Sequence, residues 1–247
     1  MQTLSEATPD IVDQVTALGA KAAEARIAIG EVIYGQESVI EETLITVLSG
    51  GHALLVGVPG LAKTLLVHSM GTVLGLDDKR VQFTPDLIPA DILGSEVLEE
   101  NEAGRRSFRF LPGPVFCQLL MADEINRASP RTQSALLQAM QEKHVTVAGV
   151  RHDLPSPFHV LATQNPLEQE GTYPLPEAQL DRFLLQIDVA YPDFAAERQM
   201  LLATTGEDVA AARRIFSADE LMAAQALVRR VPVGDSVVDA ILKLVRS

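Results

Sequence analysis

Apolar residues recur at helical spacing over Asp10 to Ile29, where Ile11, Val15, Leu18, Ala22 and Ala25 share a stripe. They do so again over Gln36 to Ser49, with Val39, Ile40, Leu44 and Val47, and Gly30 and Gly35 punctuate the two predicted helices. The pattern then changes. His52 to Val56 is a short continuous apolar run that reads as a buried strand, feeding a glycine-bearing turn from which a helix starts near Lys63. Arg80 to Thr84 predicts a short strand ahead of Pro85-Asp86-Leu87-Ile88-Pro89. Over residues 94–114 the alternation is interrupted, and Ser95 to Leu98 with Ser107 to Leu111 read as a hairpin around turns at Asn101 and Gly104. A second apolar run, Leu119-Leu120-Met121-Ala122, ends in Asp123-Glu124. Ser129-Pro130 supplies an N-cap and a first helical residue for a helix to about Glu142, with Leu136, Leu137 and Met140 inward. Strands follow at Val145 to Val147, at Phe158 to Thr163 (leading into Gln164-Asn165-Pro166) and at Phe183 to Val189, with a short helix over Pro176 to Asp181.

Strands that alternate with helices and read as unbroken apolar runs predict an α/β fold, a parallel sheet covered on both faces. From Asp193 only helices are expected: Asp193 to Ala203, a capping-box start at Ser217-Ala218-Asp219-Glu220 running to Arg229, and Asp235 onward. The division expected is an α/β core over residues 1–191 and a helical appendage over 192–247. In the appendage Val237, Val238, Ile241, Leu242 and Val245 form an apolar stripe that three helices scarcely cover, so a chain truncated from something longer is expected.

The 247 residues, 47% of them apolar, are enough to bury a sizeable core. A formal net charge of −13 argues against non-specific nucleic-acid binding, which needs a field of Lys and Arg. The single cysteine, Cys117, has no partner for an intrachain disulfide and is expected to fill core space beside Phe116. No apolar run reaches membrane-spanning length, and Met1 to Asp13 is polar and acidic where a signal peptide is basic then apolar; a reduced, cytoplasmic, soluble protein is expected. The five histidines share no metal-ligand spacing with a cysteine or an acidic pair, so zinc is not expected.

The chemistry concentrates in Gly57-Val58-Pro59-Gly60-Leu61-Ala62-Lys63-Thr64, directly after the strand Ala53-Leu54-Leu55-Val56. A glycine-rich turn between strand and helix aims backbone N–H groups at a phosphate chain. Lys63 adds a charge for the β- and γ-phosphates, and the Thr64 hydroxyl can ligate Mg²⁺. Asp123 would hold that Mg²⁺ from a neighbouring strand. Glu124, pointing the other way, would orient the attacking water, unless it only caps the Ile125-Asn126 turn. Asn165 can bond both γ-phosphate and water, or serve simply as the turn residue before Pro166. Arg182 can be an arginine finger offered to a neighbouring subunit, or a partner for Asp181. Arg105, Arg106 and Arg109 beside Glu99, Glu100 and Glu102 read as a solvated, self-neutralised hairpin tip rather than a substrate grip.

These residues resemble a known family. Gly51 through Thr64, Ala122-Asp123-Glu124-Ile125-Asn126-Arg127-Ala128, Ala162-Thr163-Gln164-Asn165-Pro166 and Gly171 through Phe183 are similar, in order, to four motifs of the MoxR family of AAA+ ATPases. Ala62, where the generic phosphate loop has glycine, is what this family carries. The resemblance covers about Tyr34 to Pro192. It implies a five-stranded parallel core, a hairpin inserted in the second helix (94–114 fits), a helical lid, and ATP with Mg²⁺ held between subunits of a hexameric ring. It further implies Glu124, Asn165 and Arg182 as base, sensor and finger, and chaperone-like remodelling with a partner bearing a von Willebrand factor A domain. Family lids continue further and supply another arginine. Two alternatives stay open at this point: a nucleic-acid motor, opposed by the charge, and a nucleotide-dependent assembly switch with little turnover.

Overall fold

A computed structural model describes residues 9–100, 106–168, 171–204 and 212–246. Helices α1 (Pro9–Gly30) and α2 (Glu37–Leu48) precede β1 (Ala53–Val56), α3 (Lys63–Leu74) and β2 (Asp78–Gln82). A short α4 (Pro89–Leu93) leads into β3 (Gly94–Glu100) and β4 (Arg106–Pro112), followed by β5 (Leu119–Asp123), a 3₁₀ turn at Ile125–Arg127 and α5 (Pro130–Glu142). Next come β6 (His144–Val147), β7 (Val150–Asp153), β8 (His159–Gln164), α6 (Glu177–Leu180) and β9 (Leu185–Asp188), and last α7 (Phe194–Thr204), α8 (Ala218–Val228) and α9 (Asp235–Val245).

Five strands form one sheet in the order β2-β5-β8-β1-β9, every pairing parallel. Alternation along each strand divides the core as the continuous apolar runs predict. Ala53, Leu55, Leu119, Met121 and Leu161 face the layer of α1, α2 and α3. Leu54, Leu120, Ala122, Val160 and Ala162 face the layer of α4 and α5. Each such buried side chain of leucine size contributes about 1.5–3 kcal/mol. Cys117 is buried on the second side, as expected, and burial pushes its thiol up to about 12.

The largest departures from expectation are α4, which had no predicted counterpart, β2 and β7. β2 begins and ends two residues early, at Asp78 and Gln82. The apolar residue that suggested a later strand, Phe83, is fully buried and donates its N–H to Asp123 O (2.8 Å), one step past the strand. β7 was not expected at all, since Val-Arg-His-Asp is polar and largely exposed. It pairs with β6 through a turn in which Ala148 (φ 48°) and Gly149 (φ 80°) are both left-handed, a geometry sequence signals only when Asn or Gly fills both places. The 94–112 hairpin pairs the expected segments, with Ser95 opposite Leu111 and Leu98 opposite Phe108. Arg106–Glu100 and Arg109–Glu99 ion pairs link its strands, while its tip, 101–105, lies outside the described residues.

α8 starts with the expected capping box: Ser217 Oγ accepts from Glu220 N (3.3 Å) and Glu220 Oε2 accepts from Ser217 N (2.8 Å). Leu221, Ala224 and Leu227 bury it against the body of the fold. α9 buries no residue, and Val237, Ile241 and Leu242 of its stripe are exposed. No helix among the described residues is long and apolar enough to cross a membrane.

Candidate functional site

The two glycines of the loop after β1 serve different purposes. A Cβ on Gly57 would lie 2.6 Å from Val189 O, so close packing against the end of β9 excludes a side chain. Gly60 has open space around it but sits at φ +85°, where only glycine is comfortable. Ala62 holds φ +54° as the residue preceding α3. Non-glycine residues occupy that region at about 1–2 kcal/mol, so the local strain is held by the surrounding fold. No side chain caps α3, which leaves its first N–H groups free of protein side chains and gives its positive end to an anion.

A cavity of about 530 Å³ opens over this helix start. Pro59, Gly60, Leu61, Ala62, Lys63 and Thr64 line one side; Asp123, Glu124, Thr163 and Asn165 line the other, with Arg80 and Gln82. The topology explains the meeting. β8 lies between β1 and β5, and all three end at the same sheet edge, so their C-terminal residues converge. Of the residues singled out in sequence, Gly57 and Val58 contribute their carbonyls, which accept bonds from Lys63 Nζ at 2.5 and 2.8 Å. Partial burial lowers the Lys63 ammonium pKa, opposed by the nearby Asp123 and Glu124 carboxylates.

Asp123 is held at both oxygens: Thr163 Oγ1 donates to Oδ1 at 2.5 Å and Arg80 Nη2 to Oδ2 at 2.5 Å. The same Thr163 hydroxyl accepts the Glu124 N–H (2.9 Å), fixing a Glu124 backbone that sits at φ +55°. Glu124 Oε2 accepts from Gln82 Nε2 (2.8 Å) and Arg127 Nη1 (3.0 Å), and its side chain makes no capping bond to the turn that follows. The bond to Glu124 is the largest influence raising the Arg127 pKa. Asn165 is buried, and its Oδ1 accepts Leu167 N (3.1 Å); it is a turn residue that also lines the cavity. Gln133, buried on α5, ties the acidic loop down by donating to the carbonyls of Ile125, Ala128 and Tyr173.

Arg182 is elsewhere. It follows α6 at the N-terminal edge of the sheet, two residues before the Leu184 N–H donates to His52 O (2.8 Å). The four residues of β1 separate that edge from the phosphate loop, roughly 13 Å at strand rise. Its guanidinium is exposed and pairs with no described acidic residue, Asp181 included.

Sequence reasoning missed Arg80, Gln82, Arg127 and Thr163. Arg80 and Gln82 lie two apart on β2, a signal that becomes readable only once β2 is known to neighbour β5. A second cavity was also missed. About 230 Å³ in volume, it shares Gly60, Leu61, Ala62 and Leu65 with the first and is completed by Val32, Ile33, Tyr34, Tyr191 and Pro192. It is largely apolar where the first is charged, and together they have the extent of a site for a polyanion joined to a flat ring.

Hard oxygen donors, the Thr64 hydroxyl and the Asp123 carboxylate, face one cavity, and that donor set fits Mg²⁺. Among the described residues no cluster of three or more His, Cys, Asp or Glu suited to a metal occurs, so such an ion would draw its remaining ligands from phosphate and water.

Comparisons with known proteins agree with this geometry. The model of the ATPase family associated with various cellular activities (AAA) matches residues 52–185. The "Chaperone MoxR1" of Mycobacterium tuberculosis is 45% identical over 217 residues, 88% of this chain and 56% of that protein. The "Protein MoxR" of Paracoccus denitrificans is 36% identical over 183 residues, 72% of this chain and 52% of that protein. The chain thus spans a little over half the length of these two relatives. A crystal structure from Cytophaga hutchinsonii superposes with a TM-score of 0.79 at 39% identity, covering 94% of this chain and 72% of that one. With its five-stranded parallel sheet, its uncapped helix start after β1 and its acidic β5 end, the chain belongs to the MoxR family of AAA+ ATPases.

Proposed function

We propose that this chain binds ATP with Mg²⁺ and hydrolyses it in a ring of copies, a hexamer, to remodel or mature partner protein complexes. The observation that carries this reading is the convergence of the α3 start with Asp123, Glu124 and Asn165 on one cavity, while Arg182 stands at the opposite sheet edge. Backbone N–H groups of residues 60–64 and the Lys63 ammonium would hold the phosphates, Lys63 exchanging the Gly57 and Val58 carbonyls for phosphate oxygens. Thr64 and Asp123 would hold Mg²⁺, which supplies charge neutralisation at the β- and γ-phosphates. Glu124 would orient water toward the γ-phosphorus and Asn165 would bond the γ-phosphate. The apolar cavity beside the loop would take the base. The core over 1–191 and the helices over 192–247, as start of a lid, would close around the nucleotide.

Arg182 cannot serve the cavity of its own chain at that separation, which supports a finger acting across an interface. The test is a mixing experiment. Arg182→Ala keeps its own phosphate loop, and Lys63→Ala keeps its own arginine, so each alone is inactive. A mixture is expected to regain ATP turnover at shared sites; absence of any recovery would contradict the trans arrangement. A partner with a von Willebrand factor A domain is proposed by family resemblance, to be checked by co-purification with and without ATP.

A further inference from the structure

Thr163 stands between the two acidic residues at the end of β5, and the proposed chemistry gives it no task. It is buried, on the strand beside the acidic one. The register of β5 with β8 ends at Ala122 opposite Ala162, so Thr163 lies one step past the last pair. From there a side chain joins the two strands. Thr163 Oγ1 donates to Asp123 Oδ1 (2.5 Å) and accepts the Glu124 N–H (2.9 Å). The direction is fixed: a peptide N–H can only donate, so the hydroxyl gives its one proton to the carboxylate. Both functions of the hydroxyl are thus used in a buried place, where the low dielectric strengthens each bond.

The Glu124 N–H matters because of the backbone it belongs to. Glu124 has φ 55° and ψ 51°, a left-handed conformation that a residue with a Cβ adopts only where its surroundings impose it. That backbone sets the direction in which the side chain leaves the main chain. Gln82 and Arg127 bond only its far end, at Oε2, and leave the starting direction open. We propose that Thr163 is a positioning residue. Through one hydroxyl it holds the Glu124 main chain in register with the Asp123 carboxylate, so that water is aimed from a fixed place relative to the metal. Valine, of the same shape, holds neither group; serine holds both. The inference rests on the proposed roles of Asp123 and Glu124.

The test compares the parent chain with Thr163→Val and Thr163→Ser in saturating Mg²⁺, by ATP turnover, calorimetric ATP affinity and NMR hydrogen exchange of the Glu124 amide. Thr163→Val is expected to lower kcat about 100-fold, the scale of a catalytic group displaced by about 1 Å. ATP affinity is expected to change less than about threefold, since the phosphate loop and Lys63 are left intact. Thr163→Ser is expected to keep kcat within about threefold of the parent. In a Glu124→Gln background, Thr163→Val is expected to cost less than about threefold more, because both act through one carboxylate. The Glu124 amide is expected to exchange at least about tenfold faster in Thr163→Val than in the parent or Thr163→Ser. A merely structural hydroxyl would lower affinity and kcat together, and that result overturns the proposal. So does parental turnover in Thr163→Val, failure of serine to rescue, or a loss of the same size in the Glu124→Gln background. Should Thr163→Val fail to fold, the kcat of Thr163→Ser and the parent's Glu124 amide still decide, because an unprotected amide there means that no hydroxyl holds it. Glu124→Gln turning over at the parent rate would instead remove the water-orienting reading, while amide exchange, which needs no turnover, still judges the hydroxyl.

Discussion

The two edges of the single parallel sheet handle polar groups in opposite ways. At the C-terminal edge, Ala62 and Glu124 hold left-handed backbone, an ammonium sits among carbonyls, and two carboxylates face a cavity of about 530 Å³. At the N-terminal edge, His52 and His159 are buried and neutral. His52 Nδ1 accepts Val160 N (2.9 Å), His159 Nδ1 meets Gly51 O (2.8 Å), and Gln225 of α8 bonds both His159 Nε2 (3.0 Å) and Val47 O (2.9 Å). Burial, helped by its neighbour His159, lowers His52 from 6.5 to about 4, and burial lowers His159 as well. One edge keeps charge and strain where a ligand can use them; the other discharges its titratable groups to join α8 to the sheet. Substitutions at the first are expected to change ligand handling, and at the second to change stability.

Four substitutions sharpen or break that contrast. Glu124→Gln is expected to lower ATP turnover by about 10²–10⁴-fold while ATP still binds, as read by phosphate release and calorimetry. Turnover at the parent rate would give Glu124 another role. Acidification acts on the other edge. Between pH 6.5 and about 4 the unfolded chain binds a proton that folded His52 refuses, so stability present above 6.5 is lost as pH falls. The loss amounts to about 3 kcal/mol from His52, and denaturant melts of His52→Gln are expected to show a flatter pH dependence. Lys63→Ala is expected to weaken ATP binding by about 30–100-fold and leave the melting temperature near the parent's. Gln225→Ala is expected to remove about 1 kcal/mol of stability without changing ATP affinity; a change in affinity instead would join the two edges functionally.

Much of this was legible in sequence, for reasons that differ by element. The phosphate loop is readable because close packing at Gly57 and a positive φ at Gly60 dictate residue type directly. The ends of β5 and β8 are readable because apolar runs break abruptly into Asp123-Glu124 and Gln164-Asn165. Arg80 and Gln82 escaped because β2 is an edge strand whose exposed side chains carry no apolar period, and Phe83 drew the expected strand downstream. The second, apolar cavity escaped because Val32 to Tyr34 and Tyr191-Pro192 are far apart in the chain and meet only when β9 closes beside β1. The neutral histidine edge has no sequence signature, since nothing local distinguishes a buried histidine from an exposed one.

The most direct measurement is calorimetric titration of the chain with ATP and Mg²⁺ beside Lys63→Ala and Arg182→Ala. Saturation at one ATP per chain is expected, lost or severely weakened in Lys63→Ala and preserved in Arg182→Ala. Binding that is absent in the parent, or indifferent to Lys63, would show that the C-terminal edge of the sheet is not where nucleotide is held.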